Sequence, residues 1–408
     1  MPILRIGLIG KTNTGKTTFF DAATLQNAEI SNYPFTTKSP NTGLAQAATL
    51  CVHRELGLKH DDPRNSRCAD GWRMIPVEII DLPGLIKGAS EGKGLGNQFL
   101  SVASQSDALL HIVDASGSIE YDGKIASPGV GNPVADVEDI EEELAMWYLH
   151  LFENNVDKAV RLQKTIAGPD FASSLSESMH GIGVRREHIV ESLRRKKLYA
   201  EDVENWTEAQ RRDFAWTLRE VSKPTLIVAN KMDVPEASKN FSKIRESYGD
   251  MIVVPASAES ELTLRRAEQT GVIKYSPSEE RFEIVKGAKL NQKQQDALSH
   301  ISKTILGEYL RTGVQFAINV AVFKLLRMNS VYPVSDVSKF SDGSGKVLPD
   351  VFLMAEGATV SDLASSIHSD LAKGLIYAID ARTGLRLPVE YQVKDRDVLS
   401  IVSAARKS

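Results

Sequence analysis

Residues 10–17 read Gly10-Lys11-Thr12-Asn13-Thr14-Gly15-Lys16-Thr17 and follow an apolar run, Ile3-Leu4-Arg5-Ile6-Gly7-Leu8-Ile9. This is G-x-x-x-x-G-K-[ST] between an expected strand and an expected helix, a spacing that carries its own mechanism. Glycines at both ends let the backbone curl until successive N–H groups converge on one anion. The helix starting near Lys16 adds the positive end of its dipole. Lys16 can reach the outer phosphates of a nucleotide, and the Thr17 hydroxyl can ligate Mg²⁺. The loop thus nominates Gly10, Lys11, Thr12, Asn13, Thr14, Gly15, Lys16, Thr17 and Thr18 as nucleotide-binding residues, with Lys16 also serving catalysis.

Base recognition separates kinases, ATPases and GTPases that share such a loop. The apolar run Thr225-Leu226-Ile227-Val228-Ala229 leads into Asn230-Lys231-Met232-Asp233, an N-K-x-D. A carboxylate at Asp233 can accept from guanine N1–H and N2–H₂. Adenine has neither donor there, and a buried carboxylate would be left unpaired. The Lys231 stem can lie along the base plane, and Asn230 can brace neighbouring loops. A further strand, Met251-Ile252-Val253-Val254, leads to Pro255-Ala256-Ser257-Ala258, whose Ser257 and Ala258 N–H groups are expected to donate to guanine O6.

Between these motifs lies Val77-Glu78-Ile79-Ile80 and then Asp81-Leu82-Pro83-Gly84, a D-x-x-G. Asp81 is expected to hold a Mg²⁺-bound water, and the Gly84 N–H to touch the γ-phosphate and report its presence. Upstream, Asn32-Tyr33-Pro34-Phe35-Thr36-Thr37 reads as a loop. One threonine there should complete the Mg²⁺ shell. Thr36 is the favoured residue and Thr37 the alternative. The expected metal ligands are Thr17, Thr36 and Asp81.

With these residues in view, the chain resembles the Obg-related GTPases, and within them the YchF-like and archaeal Obg-like branch. The resemblance is carried by Asn32-Tyr-Pro-Phe-Thr-Thr37 and by the glycine-rich Gly84-Leu-Ile-Lys-Gly-Ala-Ser-Glu-Gly-Lys-Gly-Leu-Gly-Asn97. It runs over nearly the whole chain. Bacterial and eukaryotic YchF-like proteins usually carry N-x-x-E at the base-recognition position and look like ATPases. Here the motif is N-K-x-D, so the resemblance and the local chemistry together point to GTP.

Many small GTPases place a glutamine after D-x-x-G to orient water; this chain has Leu85. The resemblance implies a GTPase with a hydrophobic residue in that position. It also makes Asn13 a candidate for holding K⁺ beside the phosphates, where a monovalent cation would offset developing charge. The plainer reading of Asn13 is a residue suited to a tight turn. The expected catalytic set is Lys16, Thr36, Gly84 and Asn13. The glycines around Leu85 lower the cost of rearranging that loop on GTP binding.

The elements that must position these groups imply an α/β fold: a P-loop NTPase (Ras-like) G domain, residues 1–117 with 223–327. An inserted α-helical domain, 118–222, is expected from helical apolar spacing near 137–147, 157–166, 185–198 and 207–221. In the resemblance this insertion is helical and partly coiled coil. It carries Arg194-Arg195-Lys196-Lys197, readable as an RNA or ribosome contact or as a solvated helix face. Residues 259–327 read as helices. From about Ser330 the pattern becomes strand, strand, helix (360–371), strand, strand, which fits a C-terminal β-grasp (ubiquitin-like) unit at 328–408. Val360-Ser361-Asp362-Leu363-Ala364 and His368-Ser369-Asp370-Leu371-Ala372-Lys373-Gly374 resemble the TGS domain, which implies RNA or ribosome contact. His368 beside a turn reads as structural.

Composition bounds the rest. The 408 residues carry a net charge of −4, which gives no global drive toward nucleic acid. Two cysteines suggest a reducing compartment, and the N-terminus leads straight into a strand rather than a signal peptide, so a cytoplasmic setting is expected. The best apolar run, 314–326, is broken by Gln315, Asn319 and Lys324, so no membrane partner is expected. Cys51, His53, His60 and Cys68 offer zinc-type ligands. Their spacing holds no Cys-x-x-Cys pair, and they read as scattered surface residues. The leading reading is a Mg²⁺-dependent GTPase cycling between GTP and GDP and acting on the ribosome or translation. The alternatives are an ATP-hydrolysing YchF-like stress regulator and a guanine-nucleotide sensor with little turnover.

Overall fold

The computed structural model describes residues 3–25, 42–82, 84, 105–164, 170–277 and 279–404. Thr36, Thr37, Leu85 and most of the glycine-rich stretch lie outside them.

The first sheet contains β1 (Arg5–Ile9), β2 (Thr42–Leu50), β3 (Arg67–Ala69), β4 (Trp72–Asp81), β5 (Ala108–Asp114), β6 (Thr225–Asn230) and β7 (Val253–Pro255). Its order is β2-β4-β1-β5-β6-β7, with β3 on β4. β1, β4, β5, β6 and β7 run parallel, whereas β2 and β3 pair antiparallel with β4. Every residue of β5 and β6 is buried, which is why these strands read as near-continuous apolar runs rather than alternating ones, with His111 the polar interruption in β5. The chain order reverses beside β1. Ligand crevices in open parallel sheets form at such a switch point, outside the carboxyl ends of the strands. The four expected motifs leave from those ends: after Ile9, at Asp81, at Asn230 and after Pro255.

Helices α1 (Lys16–Thr24), α2 (Val52–Glu55), α3 (Pro133–Gln163), α4 (Phe171–Ser178), α5 (Arg186–Lys196), α6 (Glu208–Ser222), α7 (Ala237–Ser247) and α8 (Ala258–Gln269) follow in chain order. The two helices expected near 137–147 and 157–166 are one, α3. It starts at Pro133 under an Asn132 cap and runs 31 residues. No glycine or second proline interrupts it, and its buried stripe continues through Tyr148, Phe152, Val156 and Ala159. Its first half packs Ile140 and Leu144 against Leu109 of β5. Its second half shares a separate core with α4, α5 and α6, centred on the rings of Phe152, Trp206 and Phe214 at centroid distances of 5.0–5.9 Å.

A buried ion pair joins the two ends of this insertion. Arg219 on α6 gives Nη1 to Glu141 Oε2 at 2.6 Å and Nη2 to Glu141 Oε1 at 2.9 Å, and also donates to Thr225 Oγ1 at 2.9 Å. The Arg219 guanidinium and the neighbouring His111 hold the Glu141 carboxyl below its usual range despite deep burial.

Beyond α8, the expected all-helical stretch contains a small hairpin, β8 (Ile273–Lys274) with β9 (Glu283–Ile284). Gly271, at φ 73°, and Pro277 punctuate the chain there. Helices α9 (Gln292–His300) and α10 (Val314–Val320) follow. The last strands, β10 (Met328–Pro333), β11 (Phe352–Ala355), β12 (Leu375–Asp380), β13 (Arg386–Leu387) and β14 (Val398–Ser403), form a sheet of order β11-β10-β14-β12-β13. β10 and β14 are parallel and the other pairs antiparallel, as a β-grasp requires. The helix expected over 360–371 divides into α11 (Val360–Ile367) and α12 (Ser369–Lys373). His368 between them is extended and its Nδ1 accepts from the Asp370 N–H at 3.2 Å, which caps α12. No helix among the described residues is long and apolar enough to cross a membrane.

Removing one member of a buried ion pair strands its partner's charge. R219A is expected to cost about 3–5 kcal/mol, read as lost hydrogen-exchange protection in α3 and α6. R212A removes only an exposed pair with Glu142 and is expected to change the same protection by less than about 1 kcal/mol.

Candidate nucleotide site

The loop after β1 depends on two glycines for its shape. Gly10 has φ 142° and a Cβ there would overlap the Ile112 carbonyl. Gly15 has φ 93° and a Cβ would overlap the Asn230 side-chain amide. Asn13 is also left-handed at φ 67°, a conformation asparagine tolerates. Its Nδ2 donates to the Gly123 carbonyl at 3.1 Å. Lys16 is buried, and its Nζ donates to the carbonyls of Gly10 at 3.0 Å and Lys11 at 2.6 Å. Burial lowers its pKa to about 8, with the Asp81 charge opposing that shift.

Thr17 and Asp81 come together as expected of a metal pair. Thr17 Oγ1 donates to Asp81 Oδ2 at 2.8 Å. Asp81 Oδ1 is buried with no hydrogen-bond partner among the described residues, and burial raises the carboxyl's pKa. A hydroxyl beside a carboxylate with an unsatisfied oxygen fits a hard divalent cation. Gly84 lies against the loop: a Cβ on it would stand 2.6 Å from Thr12 Oγ1 and 2.9 Å from Thr12 N.

Asn230 is the brace expected of it. Its Nδ2 donates to the Thr14 carbonyl at 2.9 Å, and its Oδ1 accepts from the Ala258 N–H at 3.0 Å. Asp233 Oδ1 accepts from Ser257 Oγ at 2.6 Å. The expected pair of free donors at Ser257 and Ala258 needs correction. The Ser257 N–H is spent on the Thr312 carbonyl at 2.8 Å, because the lead-in to α10 packs there. The Ala258 N–H already serves Asn230, so a contact to guanine O6 would have to share it. Ser257 contributes its hydroxyl instead, on Asp233 and as the cap of α8.

Sequence reasoning missed two supports. The Lys11 side chain does not face the nucleotide position as a free cation. It is buried, with Nζ 2.6 Å from Asp136 Oδ1 and 3.2 Å from Asp139 Oδ2, both on α3. The visible signal is the cluster of acidic residues at the start of that helix, Asp136, Glu138 and Asp139. Lys231 Nζ, in turn, lies 2.9 Å from Asp114 Oδ2 and 3.2 Å from Ser118 Oγ. Asp114, the last residue of β5, is a buried anchor for the base-binding loop.

Two side observations bear on other candidates. Arg194 and Arg195 both pair with Glu191, at 2.7 and 2.8 Å, so one carboxylate on the same helix offsets one of the four positive charges of the basic run. Cys51, His53 and Cys68 are not scattered surface residues; they converge, and Asp61 rather than the exposed His60 is the fourth member.

The chain is similar to known proteins over nearly its whole length. A family model described as a 50S ribosome-binding GTPase matches residues 5–147. One described as an Obg-like GTPase YGR210-like, G4 motif-containing domain matches 228–336, and a TGS domain matches 342–403. An uncharacterised GTP-binding protein of Methanocaldococcus jannaschii is 43% identical over 401 residues, 98% of this chain and 99% of that protein. The ribosome-binding ATPase YchF of Escherichia coli O157:H7 is 28% identical, over 92% of this chain and 87% of its own. The crystal structure of a GTP-binding protein from Pyrococcus horikoshii OT3 matches with a TM-score of 0.77 at 33% identity, covering 98% of this chain and 100% of that one.

Gly15→Ala is expected to weaken nucleotide binding about 10–100-fold, since it adds left-handed strain and a clash with Asn230. Gly57→Ala is the control, with a similar φ of 66° but open space around it. Calorimetric titration should show it binding as the unaltered chain does.

Proposed function

We propose that this chain, which belongs to the YchF-like branch of the Obg-related GTPases, binds GTP in preference to ATP and hydrolyses it with Mg²⁺. The observation that carries the selectivity is Asp233, whose carboxylate is held by Ser257 beside the Asn230 brace. Guanine offers that carboxylate two N–H donors. Adenine offers none and would desolvate it without compensation. The GTP-binding names of the archaeal relatives support the reading. The ATPase name of the E. coli relative supports the alternative, in which adenine is the base.

In this reading, residues 1–117 with 223–327 are the catalytic body, 118–222 the insertion and 328–408 the TGS module. The Gly10–Thr18 backbone cradles the phosphates, and Lys16 exchanges its carbonyl partners for their oxygens. Thr17, Thr36 and Asp81 would hold Mg²⁺, and the ion would supply charge neutralisation at the phosphates. Water attacks the γ-phosphorus, the bond to the bridging oxygen breaks, and GDP and phosphate leave. Leu85 cannot orient that water, so intrinsic turnover is slow. Asn13 spends its Nδ2 on Gly123, leaving Oδ1 as the atom to face a K⁺ ion. Gly84, lying on Thr12, is the residue whose N–H would meet the γ-phosphate and report its presence.

The output we assign is a ribosome- or RNA-linked switch in the cytoplasm, read through the TGS module and the insertion. Support comes from the ribosome-binding name of the YchF relative and from the TGS match. Co-sedimentation with ribosomal particles should depend on whether GTP or GDP is bound. Loss of that dependence would overturn the switch, and turnover that ribosomes leave unchanged would favour the sensor reading.

Calorimetry with both nucleotides and Mg²⁺ tests the base. GTP is expected to bind at least about 100-fold tighter than ATP, and D233A to weaken GTP by about 10²–10⁴-fold while barely changing ATP. Equal affinity for the two nucleotides would overturn the selectivity. Phosphate release is expected to be faster in KCl than in NaCl at fixed ionic strength, and equal rates would remove the role given to Asn13.

A further inference from the structure

Away from the nucleotide, four potential metal ligands meet at the edge of the first sheet. Cys51 caps α2 directly after β2, His53 lies within α2, Asp61 follows on the connecting loop, and Cys68 sits on β3. Their ligand atoms all lie within 4.8 Å of one another. His53 Nδ1 is 3.6 Å from both Cys68 Sγ and Asp61 Oδ2. Zinc bonds of about 2.0–2.3 Å at tetrahedral angles give ligand–ligand edges of roughly 3.3–3.8 Å, so these separations already fit. Cys51 Sγ stands closer, 3.0 Å from Asp61 Oδ2, as a thiol donating to a carboxylate. The chain has only two cysteines, and both are here.

Charge balance supports the same reading. Asp61 Oδ2 lies 2.9 Å from Nη1 of Arg73, whose side chain is fully buried. Two neutral thiols beside that ion pair sum to zero. Zn²⁺ with two thiolates, the Asp61 carboxylate and the Arg73 guanidinium also sums to zero. Exchanging two protons for one zinc ion therefore leaves no net charge in the interior, which removes the largest objection to placing a dication there.

We propose that Cys51, His53, Asp61 and Cys68 form a tetrahedral zinc site that clamps the loop on which the C-terminal domain docks. That loop carries the interface. The Asp62 N–H donates to the Val347 carbonyl at 2.8 Å, and Asp62 Oδ2 accepts from the Val347 N–H at 2.9 Å. Asn65 exchanges two bonds with Val351 at 2.8 and 3.0 Å. Arg73, behind the site, donates to the Leu348 carbonyl. Zinc would hold both ends of this segment and so set the seat of the domain.

The test uses the full chain, reduced and stripped of metal, with Mg²⁺ in excess to occupy the Thr17–Asp81 site. Zinc is titrated against a chromogenic chelator, and Co²⁺ serves as a spectroscopic stand-in. The expected result is one metal per chain, sulfur-to-cobalt charge-transfer bands and the visible bands of tetrahedral cobalt. The double variant C51S/C68S should lose those bands and weaken zinc on the order of 100-fold or more. Because that variant can fail to fold, H53A, at a partly exposed position, is the second probe. It should keep the fold and weaken zinc about 10–100-fold. Zinc should also slow hydrogen exchange across residues 61–65 in the unaltered chain and much less in H53A. Absence of stoichiometric zinc, octahedral cobalt spectra, undiminished binding in both variants, or a Cys51–Cys68 disulfide persisting under reductant would each overturn the proposal.

Discussion

One buried amide holds the nucleotide crevice together. Asn230 spans the end of β6, the Thr14 carbonyl of the phosphate loop and the Ala258 N–H at the start of α8. The phosphate and base halves of the site come from segments more than 200 residues apart in sequence, and this side chain sets their spacing. Its position also dictates the glycine at 15, because any Cβ there would occupy the space of the amide nitrogen. A motif residue and a loop residue that look independent are thus one steric unit. Removing the amide, or displacing it with a Cβ at 15, leaves the buried Thr14 carbonyl and Ala258 N–H without that partner, which is the costly way to lose a hydrogen bond.

The legible parts of the chain were those whose chemistry is local. The phosphate loop, the Asp81 turn and the N-K-x-D each place all their functional atoms within a few consecutive residues. The parallel strands that deliver them announce themselves as short apolar runs ending in polar loops. The β-grasp order was legible for the same reason, with strands and a helix of ordinary length separated by turn residues.

What stayed hidden was pairing across distance. Nothing in the run around Lys11 says that Asp136 and Asp139 will bury its ammonium. Nothing near Ser257 says that Thr312 will take its N–H. The zinc-type residues were seen and read as scattered, with His60 among them; Asp61, one position on, is the side chain that turns inward beside Cys51, His53 and Cys68. The two helical stretches expected at 137–147 and 157–166 join into α3 because Tyr148, Phe152 and Val156 carry the buried stripe across the gap between them.

The Lys11 contact has a mechanical side. At 1.5 Å per residue, α3 is a rod about 46 Å long, gripped near its base by the loop that holds the phosphates. Tilting that base by about 5° would sweep the far tip through roughly 4 Å. The outer helical cluster rides on that tip. A small rotation where Lys11 grips the base is thus multiplied into a several-ångström displacement of the outer cluster.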